Sequence, residues 1–353
     1  MIESIIKSLP EKAIDASDEL RAADAYKLAN EGTFMIWRGD FQNAKHLLQA
    51  MKRRIQTPAS KASTPKQSFR LHRKAQAHRA KILGQLLIPV NADFSISLKR
   101  APDLVQTFSE ALTPQENDFY MSLRDLLGLI GAHEWRKNGV FIEALGEKIH
   151  PHYGVFSPGR GEYLKLIAEA PLPKLGLAFD VGTGSGVIAV LLAKRGVKKI
   201  IATDFDDRAL VCAKENIDRL KFSQQIEIQK RNLFPDGKAS LIVCNPPWIP
   251  EEPTSTIEYA LYDPGSQMLK SFLAGLKDHL IDQGEAWLII SDIAEHLGLR
   301  SRAELTSWIN EAGLKIVGRI DTKPTHKKSK DAADPLSFAR QKEITSLWQL
   351  QKK

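Results

Sequence analysis

A chain of 353 residues has room for two ordinary domains, and 43% hydrophobic with 26% charged residues is a globular mixture that can bury a sizeable core. Its two cysteines, Cys212 and Cys244, sit in apolar runs and supply neither a disulfide framework nor a CxxC metal site, so no metal is expected. The charge is +8, and no stretch has the apolar length of a signal peptide or a bilayer span; a cytoplasmic, soluble protein with no membrane partner is the expectation.

Residues 1 to about 56 read as helical, because Ile14, Leu20, Ala23 and Tyr26 recur at helical spacing and so do Phe41, Ala44, Leu47, Leu48 and Met51. The Pro/Ser/Thr-rich run TPASKASTPKQS, 57–68, reads as a loop. A basic helix from about Phe69 to Leu87 follows, then helical stretches at 101–112 and 115–130. Residues 1–150 are therefore expected to form a mainly helical domain. Positions 41–92 contain no Asp or Glu, a one-sign segment that attracts polyanions. Arg70, Arg73 and Lys74 share a helical face and can neutralise phosphates; a solvated face without a ligand is the plain alternative.

From Pro151 onward strands and helices alternate. The strand candidates are 176–181, 199–203, 226–229, 241–244, 286–290, 315–320 and 344–350, with helices near 186–195, 207–220, 267–281 and 302–312. That alternation predicts an α/β domain over 151–353, a parallel sheet wrapped by helices. The polar segment 321–343 carries Pro324 and Pro335 and is a poor crossover helix, so the last strand is expected to run antiparallel to its neighbour.

The first of these strands runs into FDVGTGSGVIAVLLA, 179–193. Asp180 closes the strand, and Gly182, Gly184 and Gly186 form a turn that a ligand can approach closely. A dinucleotide loop needs its third glycine at 187, where valine stands, and an acid two residues before the first glycine would repel a pyrophosphate. Asp180 instead suits a positive centre, such as the amine or sulfonium of S-adenosylmethionine (SAM). Asp204, in IIATD at the tip of the second strand, is placed to accept hydrogen bonds from ribose hydroxyls. A tightly packed turn in which Asp206 or Asp207 merely caps the next helix is the competing explanation.

The fourth strand, LIVC, leads into Asn245-Pro246-Pro247-Trp248. Two prolines stiffen the turn. The Asn245 side-chain carbonyl and an adjacent backbone carbonyl can accept the two hydrogens of an NH2 group, and Trp248 offers a face on which a planar base or amide can stack. Gripping both hydrogens draws charge onto a delocalised nitrogen and aims its lone pair at a methyl donor, so the chemistry needs positioning rather than a metal or a covalent nucleophile. His150 and His152 flank Pro151, but with Glu147 as the nearby acid they read as a junction rather than a metal site.

FDVGTGSG, the acid of IIATD and NPPW together resemble the class I SAM-dependent methyltransferases, in particular the small methyltransferase-domain branch, across about 150–350. The resemblance implies a Rossmann-like seven-stranded sheet with an antiparallel final strand and SAM as cofactor. It implies Asp180, Gly182 and Gly184 at the methionine moiety, Asp204 at the ribose, and Asn232 beside the adenine in a place where the family has Asp. It also implies Asn245 and Pro246 on the target nitrogen. YGVFSPGRGEYLKL, 153–166, is similar to the segment before the first strand, with Phe156, Ser157 and Arg160 near SAM; the release-factor enzymes have a Pro-Arg-Pro-Glu-Thr-like run there, which SPGRGE matches only in part. YALYDPGSQMLKSFLAGL has the rhythm of the helix start that follows the motif in those enzymes.

The branch includes enzymes that methylate exocyclic amines of bases in RNA or DNA and enzymes that methylate the glutamine amide of release factors. The acid-free basic segment supports a nucleic acid as partner and acceptor, with RNA expected ahead of DNA. A helical N-terminal domain able to dock a protein keeps the glutamine amide open. A SAM-binding module without catalysis is the third reading.

Overall fold

A computed structural model describes residues 5–56, 62–159, 161–173, 176–253, 256–324, 331 and 334–353. The chain divides into two compact units, one of residues 1–62 and 70–134, the other of 63–69 and 135–353.

In the first unit five strands, β1 (Ile6–Lys7), β2 (Ala13–Ala16), β3 (Phe34–Trp37), β4 (Leu86–Val90) and β5 (Phe119–Ser122), form one sheet in the order β1-β5-β4-β3-β2. β2, β3 and β4 run parallel, and β5 is antiparallel to β4. The helices are α1 (Ala22–Asn30), α2 (Phe41–Arg54), α3 (Pro65–Leu83), α4 (Val105–Ala111) and the start of α5 (Leu123–Asn138). No strand was expected in this region, so the sheet among these helices is a correction to the sequence reading. Ile14 lies in β2, and 119–122, read as helix, is β5. Strands of four residues are too short to display a period of two, and the stronger 3.6-residue rhythm of α2 ran through them. In α2 that rhythm is real: Phe41, Ala44, Leu47, Leu48 and Met51 are buried, and Asp40 caps the helix by accepting from the Gln42 N–H at 2.8 Å.

Helix α3 starts at Pro65, four residues before Phe69. Thr64 Oγ1 accepts from the Gln67 N–H at 3.2 Å, and proline is favoured at the first helical position. The rest of the expected loop, 57–61, lies outside the described residues.

The second unit begins before Pro151. A hairpin of β6 (Val140–Ile142) and β7 (Glu147–Ile149) belongs to it, moving the boundary from the expected 150 to 134. Helix α6 (Glu162–Glu169) then leads into β8 (Leu177–Val181), α7 (Val187–Lys194), β9 (Lys199–Asp204), α8 (Asp207–Arg219), β10 (Ile226–Lys230) and β11 (Ala239–Cys244). There follow α9 (Gln267–His279), β12 (Leu280–Ser291), α10 (Ile293–His296), α11 (Arg302–Glu311), β13 (Leu314–Thr322), α12 (Ser337–Arg340) and β14 (Thr345–Lys352). The seven strands β8–β14 lie in the order β10-β9-β8-β11-β12-β14-β13. The first five are mutually parallel, and β14 is antiparallel to both of its neighbours, as expected for a final strand without a crossover helix.

Alternation along β11 shows why this sheet carries helices on both faces. Leu241 and Val243 point into a core with α6, α7 and α8, whereas Ile242 and Cys244 point into a core with α9 and α11. Both cysteines are buried and unbonded to each other. Trp37, Trp287 and Trp348 are core residues, whereas Trp135 is half exposed.

Candidate active site

The parallel strands β8, β9 and β11 deliver their carboxyl ends to one edge, where an open α/β sheet holds its ligands. β8 ends in Asp180, which is fully buried. Its Oδ2 accepts from Thr183 Oγ1 at 2.6 Å and from the Ala189 N–H at 3.0 Å, while Oδ1 is buried with no hydrogen-bond partner among the described residues. Burial pushes this carboxyl up to about 7, with the charge of Asp204 adding to the rise.

Gly182, Gly184 and Gly186 all have positive φ, at 73°, 56° and 80°. Two of them differ in what a side chain would meet. A Cβ on Gly186 would lie 3.2 Å from the Ala213 Cα, so glycine there lets α7 and α8 pack. A Cβ on Gly184 would meet nothing within 4 Å, so that glycine borders open space. The Gly184 N–H donates to Asp204 Oδ2 at 3.0 Å, and the Asp206 N–H donates to Oδ1 at 3.1 Å, which locks the tip of β9 to the glycine turn. Burial raises the Asp204 carboxyl above its ordinary range. Asn232 is exposed just past β10, and its neighbour Arg231 donates its N–H to the Asp204 carbonyl at 3.0 Å.

The Asn-Pro-Pro-Trp motif is set by register. Val243 and Cys244 of β11 pair with Asp180 and Val181 of β8, so Asn245 leaves the sheet beside Gly182. Pro246 is buried, and Asn245, Pro247 and Trp248 are partly so. The Trp248 indole N–H donates to Asn245 Oδ1 at 3.0 Å. Beyond the motif, Ile249 bridges to Tyr262, and the Asp263 N–H donates to the Ile249 carbonyl at 2.8 Å. Buried Asp263 then caps α9, its two oxygens accepting from the Met268 and Leu269 N–H groups at 2.9 and 3.1 Å. Met268 Cε would lie 3.1 Å from a Cβ on Gly182, so the first turn of α9 braces the glycine turn.

Sequence reasoning passed over Asp263, although the Asp-Pro at the start of that helix was its signal. It passed over Phe205 as well, which is 63% exposed directly after Asp204 at the tip of β9. Phe156 is partly buried against the core containing α6 and α7. Nearby, Ser157 Oγ and Glu162 Oε1 are buried with no hydrogen-bond partner among the described residues, and the pKa of the buried Tyr163 phenol is raised by desolvation and then by the Asp180 charge. Arg160 lies outside the described residues. His150 and His152 serve packing: the His150 N–H donates to Asn216 Oδ1 at 2.8 Å, and His152 Nε2 lies 2.7 Å from Glu215. Arg70 and Lys74 are exposed on α3, and Arg73 is partly buried.

Residues 166–247 match the family described as ribosomal protein L11 methyltransferase (PrmA). The sheet order, with its antiparallel β14, is the one that the resemblance implied. Residues 135–353 have the class I SAM-dependent methyltransferase fold, and the matched 166–247 lie within it. Its sequence is 44% identical over 69 residues to a ribosomal protein L11 methyltransferase of Alkaliphilus oremlandii, covering 19% of this chain and 22% of that one. It is 29% identical over 160 residues to a putative protein N5-glutamine methyltransferase of Methanocaldococcus jannaschii, covering 43% and 79%. A tRNA1(Val) (adenine(37)-N6)-methyltransferase of Bacteroides thetaiotaomicron is 31% identical over 128 residues, covering 33% and 53%. The chain thus spans about a fifth of the Alkaliphilus protein.

The cofactor of a methyltransferase domain of this class is SAM, and the residues present fit it. Asp180 Oδ1 is an orphaned acceptor for a cationic amine, Gly184 opens the turn, and Asp204 stands at the next strand tip. Among the described residues no helix is long and apolar enough to cross a membrane, and no three metal-binding side chains cluster.

Proposed function

We propose that this chain methylates the exocyclic amino nitrogen of a nucleic-acid base in RNA. The observation that carries the reaction type is the β8–β11 register, which puts the Asn245 acceptor one step from the glycine turn that would hold SAM. Bound there, SAM would supply an electrophilic methyl group on its sulfonium for transfer to the target nitrogen. Asn245 Oδ1 and the neighbouring backbone carbonyl of the motif accept the two N–H hydrogens, which enriches the nitrogen and orients its lone pair. The rigid Pro246-Pro247 turn keeps both acceptors in place. The extra proton leaves to water after transfer. Asp180 and Asp204 would hold the amine and ribose of the cofactor, Asn232 and the exposed Phe205 would border the adenine, and Phe156 would be a further cofactor contact.

RNA as partner is supported by α3, whose exposed Arg70, Lys74 and Lys81, with Arg73 and His78, lie in a segment free of acids. The tRNA adenine-N6 relative agrees with it. A second reading, a protein glutamine amide, is favoured by the longer match to the putative N5-glutamine methyltransferase. Either acceptor fits a cytoplasmic setting. DNA is a weaker candidate, and a SAM-binding module without catalysis would leave the acceptor geometry of Asn245 without a use.

The test is incubation with methyl-labelled SAM and a lysate of cells lacking the protein, separated into RNA, DNA and protein, with Asn245→Ala as blank. Label in RNA is the expected result, and nuclease digestion then names the nucleoside. Label in one protein band transfers the proposal to the amide. No label above the blank refutes catalysis on any of these acceptors.

A further inference from the structure

We infer that Trp248 is a positioning residue: its indole N–H selects the one orientation of the Asn245 amide that can accept the hydrogens of the substrate nitrogen. The inference rests on the reading of Asn245 as the acceptor of a planar NH2 group. An asparagine amide is nearly symmetric in shape but opposite in chemistry at its two ends, one oxygen acceptor and one NH2 donor pair. Its terminal torsion is broad and roughly two-fold, so the backbone alone does not choose which end faces the substrate. With Nδ2 turned toward the target, donors would face donors, and the nitrogen would be neither gripped nor enriched.

The structure contains a device that makes the choice. The Trp248 indole has a donor and no acceptor, so it can hydrogen-bond the amide only through oxygen, and it does so at 3.0 Å. Its ring is a fixed donor on two counts. Between the two residues lie only Pro246 and Pro247, whose φ angles are locked. The ring itself packs against the cores on both sides of the sheet and against the cluster that includes Ile293, Leu297 and Leu336. The carbonyl oxygen has two lone pairs, so the indole uses one and leaves the other for the target. The bond lies in the ring plane and does not consume the π face, so stacking and orienting are compatible roles. Phenylalanine at 248 would keep an aromatic body and lose the donor.

Two measurements test this, one of them independent of any acceptor. In a 1H–15N spectrum of the full chain, the Trp248 indole signal is identified by its loss in Trp248→Phe. Asn245→Ala should shift that signal and speed its hydrogen exchange by about fivefold or more, the factor an ordinary hydrogen bond is worth. An unmoved, equally protected signal overturns the inference. The second measurement is a double-mutant cycle in methyl transfer from labelled SAM to total RNA of cells lacking the protein. A carboxylate has two equivalent oxygens and needs no selection, so Asn245→Asp removes the need for the indole. W248F should lower kcat about fivefold with KM for SAM unchanged when Asn245 is present, and less than about twofold in the N245D chain. Equal losses in both backgrounds overturn the orienting role and leave Trp248 as packing. If total RNA takes no label from the wild type, the function reading fails, and the indole signal alone decides the inference.

Discussion

Replacing Asp180 by asparagine should stabilise the cofactor-free protein at neutral and alkaline pH while weakening SAM binding. The carboxyl is fully buried, and its ordinary value of 3.8 is pushed up to about 7, chiefly by desolvation. A rise of that size corresponds to roughly 4 kcal/mol between protonated and ionised forms. The sign follows from the protons bound. Between about pH 4 and 7 the folded chain keeps a proton that the unfolded chain has lost, so this group's contribution falls with rising pH through that window and is gone above it. The substituted amide would mimic the protonated acid: its oxygen can take the Thr183 and Ala189 bonds now made by Oδ2, and its NH2 would stand at the orphaned Oδ1. Denaturant unfolding of D180N and wild type from pH 4 to 8.5, without SAM, should give curves that meet near pH 4 and separate to as much as roughly 4 kcal/mol by pH 8. Calorimetric titration should show SAM binding weakened in D180N. A stability difference flat across this range would refute the reasoning, because it would show that Asp180 holds no proton in the fold.

The glycine turn should separate folding from binding. Gly186→Ala forces a Cβ to 3.2 Å from Ala213 and should cost about 2 kcal/mol or more of fold stability. Gly184→Ala meets nothing and should cost about 1 kcal/mol while lowering SAM affinity more steeply; equal effects on urea midpoints would contradict this. Arg300 is buried, with Nε and Nη2 unpartnered among the described residues, and desolvation lowers its pKa, so Arg300→Met should raise the melting temperature. A fall would show that nearby Asp263, Glu295 and Glu304 more than offset the burial. Reversing Arg70 and Lys74 to glutamate should reduce the log–log salt slope of RNA binding by about 2 and leave SAM affinity intact; an unchanged slope would remove α3 from the RNA interface.

What was legible in the sequence differs between the two units for a physical reason. In 151–353 the central strands β8, β9, β11 and β12 are apolar runs buried on both faces over most of their length, and β8, β9 and β11 are each followed by a helix with its own rhythm. All seven strands were found there, to within a few residues except for the longer N-terminal run of β12. The antiparallel last strand followed from the prolines that break 321–343. In the first unit the signals overlap. Ala13–Ala16 and Phe34–Trp37 are too short to oppose the helical periodicity beside them, and β4 hid at the end of a long basic helix. The site shows the same split. Asp180, the three glycines, Asp204 and Asn245 announce themselves because backbone geometry and charge dictate their residue types. The bond from Trp248 to Asn245, the bracing of Gly182 by Met268 and the capping role of Asp263 depend on which loop meets which, and pattern alone does not encode that.

Recognition of the acceptor has to come from outside this shared edge. A base amine and a glutamine amide both present a planar, delocalised NH2, and one oxygen on Asn245 with a neighbouring carbonyl grips either in the same way. The β8–β11 register therefore supports a reaction type and is blind to the molecule that carries the nitrogen. What distinguishes the two acceptors is the rest of each: a chain of phosphates in one, a polypeptide in the other. Phosphates are recognised by cations that release bound counterions, a salt-dependent term to which an acid-free helix with exposed Arg70, Lys74 and Lys81 is suited. A peptide instead calls for apolar and backbone contacts, and the segment after the motif does expose Tyr259 and Leu261. Salt should thus separate the candidates before the product is identified. Transfer to RNA should fall steeply between 50 and 200 mM salt, by about tenfold or more for even a few phosphate contacts, and transfer to a protein should change little.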